Sequence, residues 1–414
     1  MTNSLFSRRD FIRKSGTAVA GLPVLSIAAN QVIGANDRLQ IGIIGCGSRG
    51  QDSHMKDIHR FDIDQNVCIT AVCDPWKQHR EQAAAMAKEW YGKEPRQFED
   101  YKQLLALDDL DAVTIAAPDF QHCAILKLAV ESGKDVYCEK PIAITLEELN
   151  DAVDAVKKTD RVVQVGTQLR SESTFTGCKK VVQEGKLGKI IKCVQVRNSY
   201  RPYWHGYARP VEKEDANWNV FLRGRNPRPW DADQFSTWYG YRDFSSGPIG
   251  GFMSHFVDLV HYITGAKFPR SAVTMGGIYT WKDQRTCPDS IHTLLDYPEG
   301  LMVSYTSLFG NGYDNFYRFY GTKGTIHGKG WSAPSMTGEG IDDPDRIREE
   351  TLVPESPMPK HMEDFLQCLR SRKKPNADID AGYQHGVACI LADHAWVEKR
   401  EMVFDPEKRE IHST

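Results

Sequence analysis

The chain has 414 residues, 41% hydrophobic and 10% aromatic, which is too long for one ordinary domain and apolar enough to fill two sizeable cores. Its formal net charge of -3 gives no electrostatic footprint for nucleic acid, and no apolar run reaches the roughly 18–20 residues of a membrane span. The composition therefore points to a small-molecule partner.

In chain order, Ser7-Arg8-Arg9-Asp10-Phe11-Ile12-Arg13 sets two adjacent arginines before a bulky apolar pair, and a mild apolar stretch runs from Ala18 to Ala29. This resembles a twin-arginine export signal, with cleavage expected between Ala28 and Ala35 and a periplasmic or otherwise exported product that has no membrane contact after signal removal. The alternative is a disordered basic start on a cytoplasmic protein. The ten cysteines form no CxxC pair and fall inside expected strands and helices, so most read as buried thiols. Twin-arginine systems carry proteins already folded around cofactors, which fits free thiols in an exported chain. The expected division is a signal and linker over 1–36, a nucleotide-binding domain over 37–166 and a substrate and oligomerisation domain over 167–414.

An apolar strand over 39–44 runs straight into Gly45-Cys46-Gly47-Ser48-Arg49-Gly50, a GxGxxG turn ahead of a helical stretch. The first glycine permits the tight turn, the second lets backbone approach a pyrophosphate, and the third lets helix pack on strand. The next strand, over 67–73, ends in Asp74, 24 residues beyond Gly50. A carboxylate there accepts hydrogen bonds from ribose hydroxyls and repels a 2′-phosphate, favouring NAD over NADP. Asp74 also reads as a helix N-cap ahead of Pro75, and the two roles are compatible.

Helices over 76–90 and 100–106, a strand over 112–116, a helix from His122 to Ser132 and a strand over 136–138 continue the alternation. That pattern predicts a parallel sheet with helices on both faces. Ligands of such sheets bind beyond the carboxyl ends of the strands, where Gly47, Asp74, Pro118 and Lys140 all fall. Lys140, between Glu139 and Pro141, is the candidate for the chemistry.

GxGxxG, Asp74, Ala117-Pro118-Asp119-x-x-His122 and Glu139-Lys140-Pro141, in this order, resemble the glucose-fructose oxidoreductase, inositol dehydrogenase and rhizopine-catabolism (Gfo/Idh/MocA) family. The resemblance covers nearly all of the chain after the signal. It implies a Rossmann domain followed by an open, mostly antiparallel sheet with flanking helices, an NAD cofactor contacted by Gly45, Gly47, Ser48, Arg49, Gly50, Asp74, Pro118, His122, Glu139 and Lys140, and a lysine lying near the nicotinamide and the substrate hydroxyl. Gly166-Thr167-Gln168-x-Arg170 resembles the segment at the family's inter-domain cleft, which makes Gln168 and Arg170 substrate candidates. Gly250-Gly251-Phe252-Met253-Ser254-His255 resembles the segment bearing a catalytic histidine, so His255 is carried over. Four residues earlier, however, Gly251 stands where the family has an aspartate.

In the second half, alternating runs over 189–199, 290–296, 301–308, 315–320 and 325–327, with turns at Tyr297-Pro298-Glu299-Gly300 and Gly321-Thr322-Lys323-Gly324, predict an antiparallel sheet whose broad face suits a homo-oligomer contact. Between Ser199 and Gly251 lies an aromatic insertion with Tyr203, Trp204, His205, Trp218, Trp230 and Trp238. Sugar faces stack on such rings, so Tyr203, His205 and Trp238 become carbohydrate-site candidates; burial that pins a long loop accounts for them equally well. No metal is expected, because His255 and His261 stand about 120° apart on a helix. His361 opens an amphipathic helix and reads as packing.

Three functions follow from this reading. One is NAD-dependent oxidation of a secondary hydroxyl of a sugar, with Lys140 as base, Glu139 orienting it or binding the nicotinamide ribose, and the cofactor tightly held. Another is a redox-neutral NAD-dependent glycosidase, suggested by export away from any free NAD pool and by Gly251, with His255 or Tyr203 moving protons. A third is a non-catalytic NAD-containing binding protein, against which the intact Glu-Lys-Pro argues.

Overall fold

The computed structural model describes residues 37–414 apart from positions 207 and 342. The expected export signal over 1–36 lies outside the described residues.

Six parallel strands form the first sheet: β1 (Leu39–Ile44), β2 (Val67–Cys73), β3 (Arg96–Phe98), β4 (Ala112–Ile115), β5 (Asp135–Cys138) and β6 (Val163–Val165), in the order β3-β2-β1-β4-β5-β6. β4, β5 and β6 are buried along their whole length, as strands covered by helices on both faces must be. Strand order reverses between β1 and β4, which opens a crevice at their carboxyl ends. β3, Arg-Gln-Phe, has two exposed residues and occupies the sheet edge in what reads from sequence as a polar link.

The second sheet has ten strands: β7 (Ile190–Val196), β8 (Ser271–Gly277), β9 (Ser290–Tyr297), β10 (Leu301–Leu308), β11 (Phe316–Gly321), β12 (Thr325–Lys329), β13 (Ser335–Thr337), β14 (Thr351–Leu352), β15 (Met402–Asp405) and β16 (Glu410–Ser413). All pairings are antiparallel except β7 with β10. The helix Ser254–Thr264 is buried on nearly every side and packs against the helices Ser173–Gln183 and Ile379–Glu398. The opposite face of the sheet stays open, with Val273, Met275, Leu294 and Met302 exposed and Val273 paired directly with Leu294.

One helix of the C-terminal part leaves the second sheet, while β15 and β16 stay with it. Helix His361–Ser371, assigned by sequence to the second domain, places Met362, Phe365 and Leu366 in one core with Ile41, Ile43, Val67 and Ile69 of the first. The amide of Gln164 in β6 donates to the His361 carbonyl at 2.6 Å, and the His361 ring sits between the Val165 carbonyl (2.9 Å) and the Ser171 hydroxyl (2.8 Å). All ten cysteines are free thiols, nine of them buried and Cys68 half-buried.

Candidate active site

The cofactor cradle follows from the Gly-rich turn. Gly45 adopts φ +88°, and a Cβ there would run into the Ala116 carbonyl; one on Gly50 would run into the Gly45 carbonyl. The segment Gly50–Met55 is a π-helical opening that continues into Lys56–Gln65, so the start of a long helix faces the crevice. Asp74 Oδ2 accepts the Cys46 N–H at 2.7 Å and Oδ1 accepts the Trp76 N–H at 2.8 Å. A carboxylate offers about four lone-pair sites, so two remain for ribose hydroxyls while the other two fix the turn. Asp74 thus holds the backbone of the cradle and has capacity to bind the cofactor.

A cleft opens here, lined by Gly45, Gly47, Ser48, Arg49, Asp74 and Pro118. Its other wall comes from the insertion: Val220, Phe221, Phe235, Trp238 and Tyr239. Trp218, Phe221 and Phe235 form one apolar cluster with Trp76 and Phe120 of the first domain, and Trp218 stacks on Phe221 at 5.1 Å. Arg223 clamps Asp100 through two hydrogen bonds of 2.5 Å, and Asn217 N–H donates to the Pro75 carbonyl at 2.9 Å. The aromatic insertion therefore roofs the dinucleotide cleft. Trp238, stacked on Tyr239 at 3.5 Å, lines that same cleft.

At the carboxyl end of β5, Glu139 is buried and fully engaged. Its Oε1 accepts from Arg49 Nε at 2.6 Å and faces His54 Nε2 at 3.0 Å; its Oε2 accepts the Lys140 N–H at 3.2 Å. Burial pushes this carboxyl up, but Arg49 and the His54 hydrogen bond outweigh it and hold the group well below the usual carboxylate range. Glu139 is thus an ionised anchor for the loop, and Arg49 is its counter-ion. Lys140 Nζ donates to the Gly251 carbonyl at 2.7 Å, bridging the two domains. Burial lowers the pKa of this amine, against the opposing pull of Glu139 and Asp119.

Gly251 is where the chain departs from the family pattern, and the space is taken. A Cβ on residue 251 would lie 2.7 Å from the Tyr203 hydroxyl, which donates to the Gly247 carbonyl at 3.2 Å. The Tyr203 ring packs edge-on against Phe252 at 4.8 Å. His255 follows on the next turn, half-buried, its Nδ1 without a hydrogen-bond partner. Burial, then the Lys140 charge, holds its pKa well below the ordinary histidine value, so it is a neutral imidazole at pH 7.

Other candidates lie elsewhere or do other work. Arg170 is buried, and its Nε donates to both oxygens of Asp258 at 2.9 and 2.7 Å; its partner is this internal carboxylate instead of a substrate. Gln168 keeps a buried Oε1 with no partner. His205 packs edge-on against Trp281 at 4.8 Å. The buried His122 ring stands between the carbonyls of Ala117 (2.8 Å) and Pro141 (2.7 Å), so it ties two loops of the cleft together and has no ring nitrogen left for the cofactor. His54, Asp119 and Phe221 are site residues that the sequence reading missed. Asp119 alone carried a signal, since it sits at the carboxyl end of β4 with Pro118. Among the described residues no His, Cys, Asp and Glu cluster is placed to hold a metal ion, and no helix is long and apolar enough to cross a membrane.

Comparison with known proteins supplies the context for this geometry. Residues 39–167 match an oxidoreductase family described by its NAD-binding Rossmann fold, and residues 179–393 match the C-terminal alpha/beta domain of the same family. The chain is 25% identical over 288 residues to glycosyl hydrolase family 109 protein 2 of Shewanella sp. strain ANA-3, covering 64% of this chain and 59% of that protein. It is 34% identical over 151 residues to inositol 2-dehydrogenase of Burkholderia cenocepacia, covering 36% of this chain and 43% of the relative. The chain thus spans less than two thirds of the length of these curated relatives. Its fold matches levoglucosan dehydrogenase in complex with NADH (TM-score 0.67, 19% identity, 91% of this chain and 99% of the other). It also matches aldose-aldose oxidoreductase from Caulobacter crescentus (TM-score 0.67, 19% identity, 89% and 100%).

Proposed function

The chain belongs to the Gfo/Idh/MocA oxidoreductase family by both of its domains, and we propose that it oxidises a secondary hydroxyl of a sugar or sugar derivative with a cofactor it retains between turnovers. NAD is that cofactor. When bound, it supplies the acceptor for a hydride from the alcohol carbon. The observation that carries the reading is Lys140: an amine with a lowered pKa, fixed at 2.7 Å from the Gly251 carbonyl at a strand end where ligands of this fold bind. In its neutral form it takes the proton from the substrate hydroxyl. Glu139, gripped by Arg49 and His54, keeps the loop in place, and His255 stands on the neighbouring helix as a neutral imidazole. The aromatic roof over the cleft supports retention, because cofactor exchange would require parting the apolar cluster and the Arg223–Asp100 pair.

A second reading is favoured by Tyr203 filling the room of the aspartate and by the similarity to a glycosyl hydrolase family 109 protein. In a redox-neutral glycosidase the sugar hydroxyl is oxidised to a ketone, which acidifies the adjacent C–H. A base removes that proton, the aglycone leaves as an alcohol, water adds to the resulting enone, and the carbonyl is reduced again. Tyr203 and His255 are the nearest groups to serve the elimination.

Denaturing the purified protein and assaying the supernatant is expected to release NAD in about one copy per chain if the cofactor is retained. Native protein is then incubated, without added cofactor, with aryl glycosides and separately with pairs of free sugars. Conversion of free sugars supports the oxidoreductase, aglycone release replaces it with the glycosidase, and turnover only with added NAD overturns retention. We further propose export by the twin-arginine route, tested by cell fractionation with and without Arg8→Lys and Arg9→Lys. A homo-oligomer through the open sheet face is also proposed. Leu294→Arg is expected to shift light-scattering mass to the monomer, and an unchanged mass would place the contact elsewhere.

A further inference from the structure

With glycine at 251, Lys140 has no carboxylate beside it on that helix, so the charges that favour its ammonium come from the first domain, from Glu139 and then from Asp119. Residues 245–251 form a turn running into the π-helical segment Ile249–Met253, and the turn is bonded internally. The Gly247 N–H donates to Ser245 Oγ at 3.1 Å, and the Gly251 N–H donates to the Gly247 carbonyl at 2.8 Å. Besides the thiols of Cys287 and Cys389, which bond the Ser245 and Ile249 carbonyls, three groups from outside fasten onto it. Lys140 holds the Gly251 carbonyl, Tyr203 holds the Gly247 carbonyl, and Asp119 Oδ2 accepts the Ser245 hydroxyl at 2.7 Å. Asp119 belongs to the first domain, at the carboxyl end of β4, and is 2% exposed.

We propose that Asp119 is a positioning residue for the active site: through Ser245 it pins the turn that holds Lys140 and Tyr203, and its carboxylate provides the negative charge behind the lysine that residue 251 does not. This deepens the proposed function and rests on Lys140 being the base of that reaction. An uncharged amide would serve a purely structural bond to Ser245, and burying a carboxylate for that alone is costly. Burial pushes the Asp119 carboxyl up to about 7, while Ser245 and Lys140 pull the other way, so the carboxylate forms across neutral pH within reach of the lysine's charge. The other charges in reach are already disposed. Glu139 is paired with Arg49 on the first-domain side, and His255 on helix Ser254–Thr264 is neutral. Cys389 on helix Ile379–Glu398 is a buried thiol whose pKa is raised to a value above neutrality, and the Tyr203 phenol is raised by burial and by Asp119.

The test reads Lys140 directly and needs no substrate. Lysines of the full-length protein are reductively dimethylated with a carbon-13 label, and the Lys140 resonance is identified by its absence in Lys140→Arg. Its titration is then followed in the unaltered protein, Asp119→Asn, Ser245→Ala and the double variant. Because an ionised Asp119 favours the ammonium, Asp119→Asn is expected to lower the Lys140 midpoint by about one pH unit. Ser245→Ala, the milder change, is expected to lower it as well, and the double variant no further than Asp119→Asn alone, as groups acting in one unit behave. Midpoints unmoved in both single variants, or shifts that simply add, overturn the proposal. Sugar turnover separates this outcome from the broader one: activity that survives Lys140→Ala overturns the proposed function even if the Asp119 coupling is present.

Discussion

Replacing Lys140 with alanine is expected to cut turnover by about 100- to 10,000-fold, the range of a lost general base, while the purified protein still carries its NAD. The geometry separates the two outcomes. Lys140 reaches across to the second domain and bonds a backbone carbonyl there, whereas the groups lining the dinucleotide cleft, from Gly45 to Pro118, are independent of its side chain. Glu139 remains fixed by Arg49 and His54 in the variant. Turnover is measured with the substrate class found in the cofactor-free assay, and NAD by its release on denaturation. Loss of NAD along with turnover would make Lys140 a cofactor anchor and remove it as the base.

Arg170→Met is expected to destabilise the fold by about 3–5 kcal/mol, the cost of stranding a buried charge, and to do so whether or not substrate is present. Asp258 is fully buried, holds both of its oxygens against Arg170 Nε, and has His385 Nδ1 at 3.6 Å. Burial raises the Asp258 carboxyl, and Arg170 and His385 together more than reverse that, so its pKa is depressed in the folded state. A depressed carboxylate contributes stability above its unfolded pKa and loses it as pH falls through the folded value. The penalty in Arg170→Met should therefore be full at neutral pH and shrink towards acid as the stranded Asp258 takes up a proton. Adding Asp258→Leu should recover most of the loss. Thermal unfolding across pH reads all three; an unchanged melting point with a raised KM would instead return Arg170 to the substrate.

The first domain was largely legible because its signals are local. A strand, a glycine turn and an acid at the next strand end lie within a few dozen residues, and Glu139-Lys140-Pro141 follows from the same alternation. β3 escaped because an edge strand of three residues, two of them exposed, has neither apolar character nor periodicity. The cleft was harder because its decisive pairs are distant. Tyr203 meets Gly251 from 48 positions away, Arg170 meets Asp258 from 88, and Ser245 meets Asp119 from 126. Nothing in the composition of the insertion distinguishes a sugar platform from a roof over a cofactor, since both use tryptophan and phenylalanine. The position of Trp218 and Phe221 against Trp76 and Phe120, which shows those two rings buried against the first domain, is visible only in three dimensions.

The return of helix His361–Ser371 to the first sheet sets the order in which the protein can mature. The first-domain surface that this helix covers, on helix Lys56–Gln65 and around Tyr137, stays wet until residue 371 has left the ribosome. At about 5–20 residues per second, that delay after β6 is synthesised is on the order of 10–40 s. A nascent chain therefore carries an incompletely covered nucleotide domain for about half of its synthesis, with Tyr137 and one side of helix Lys56–Gln65 open to any neighbour. A holding chaperone has, in such a molecule, a defined patch to shield and a defined moment to let go.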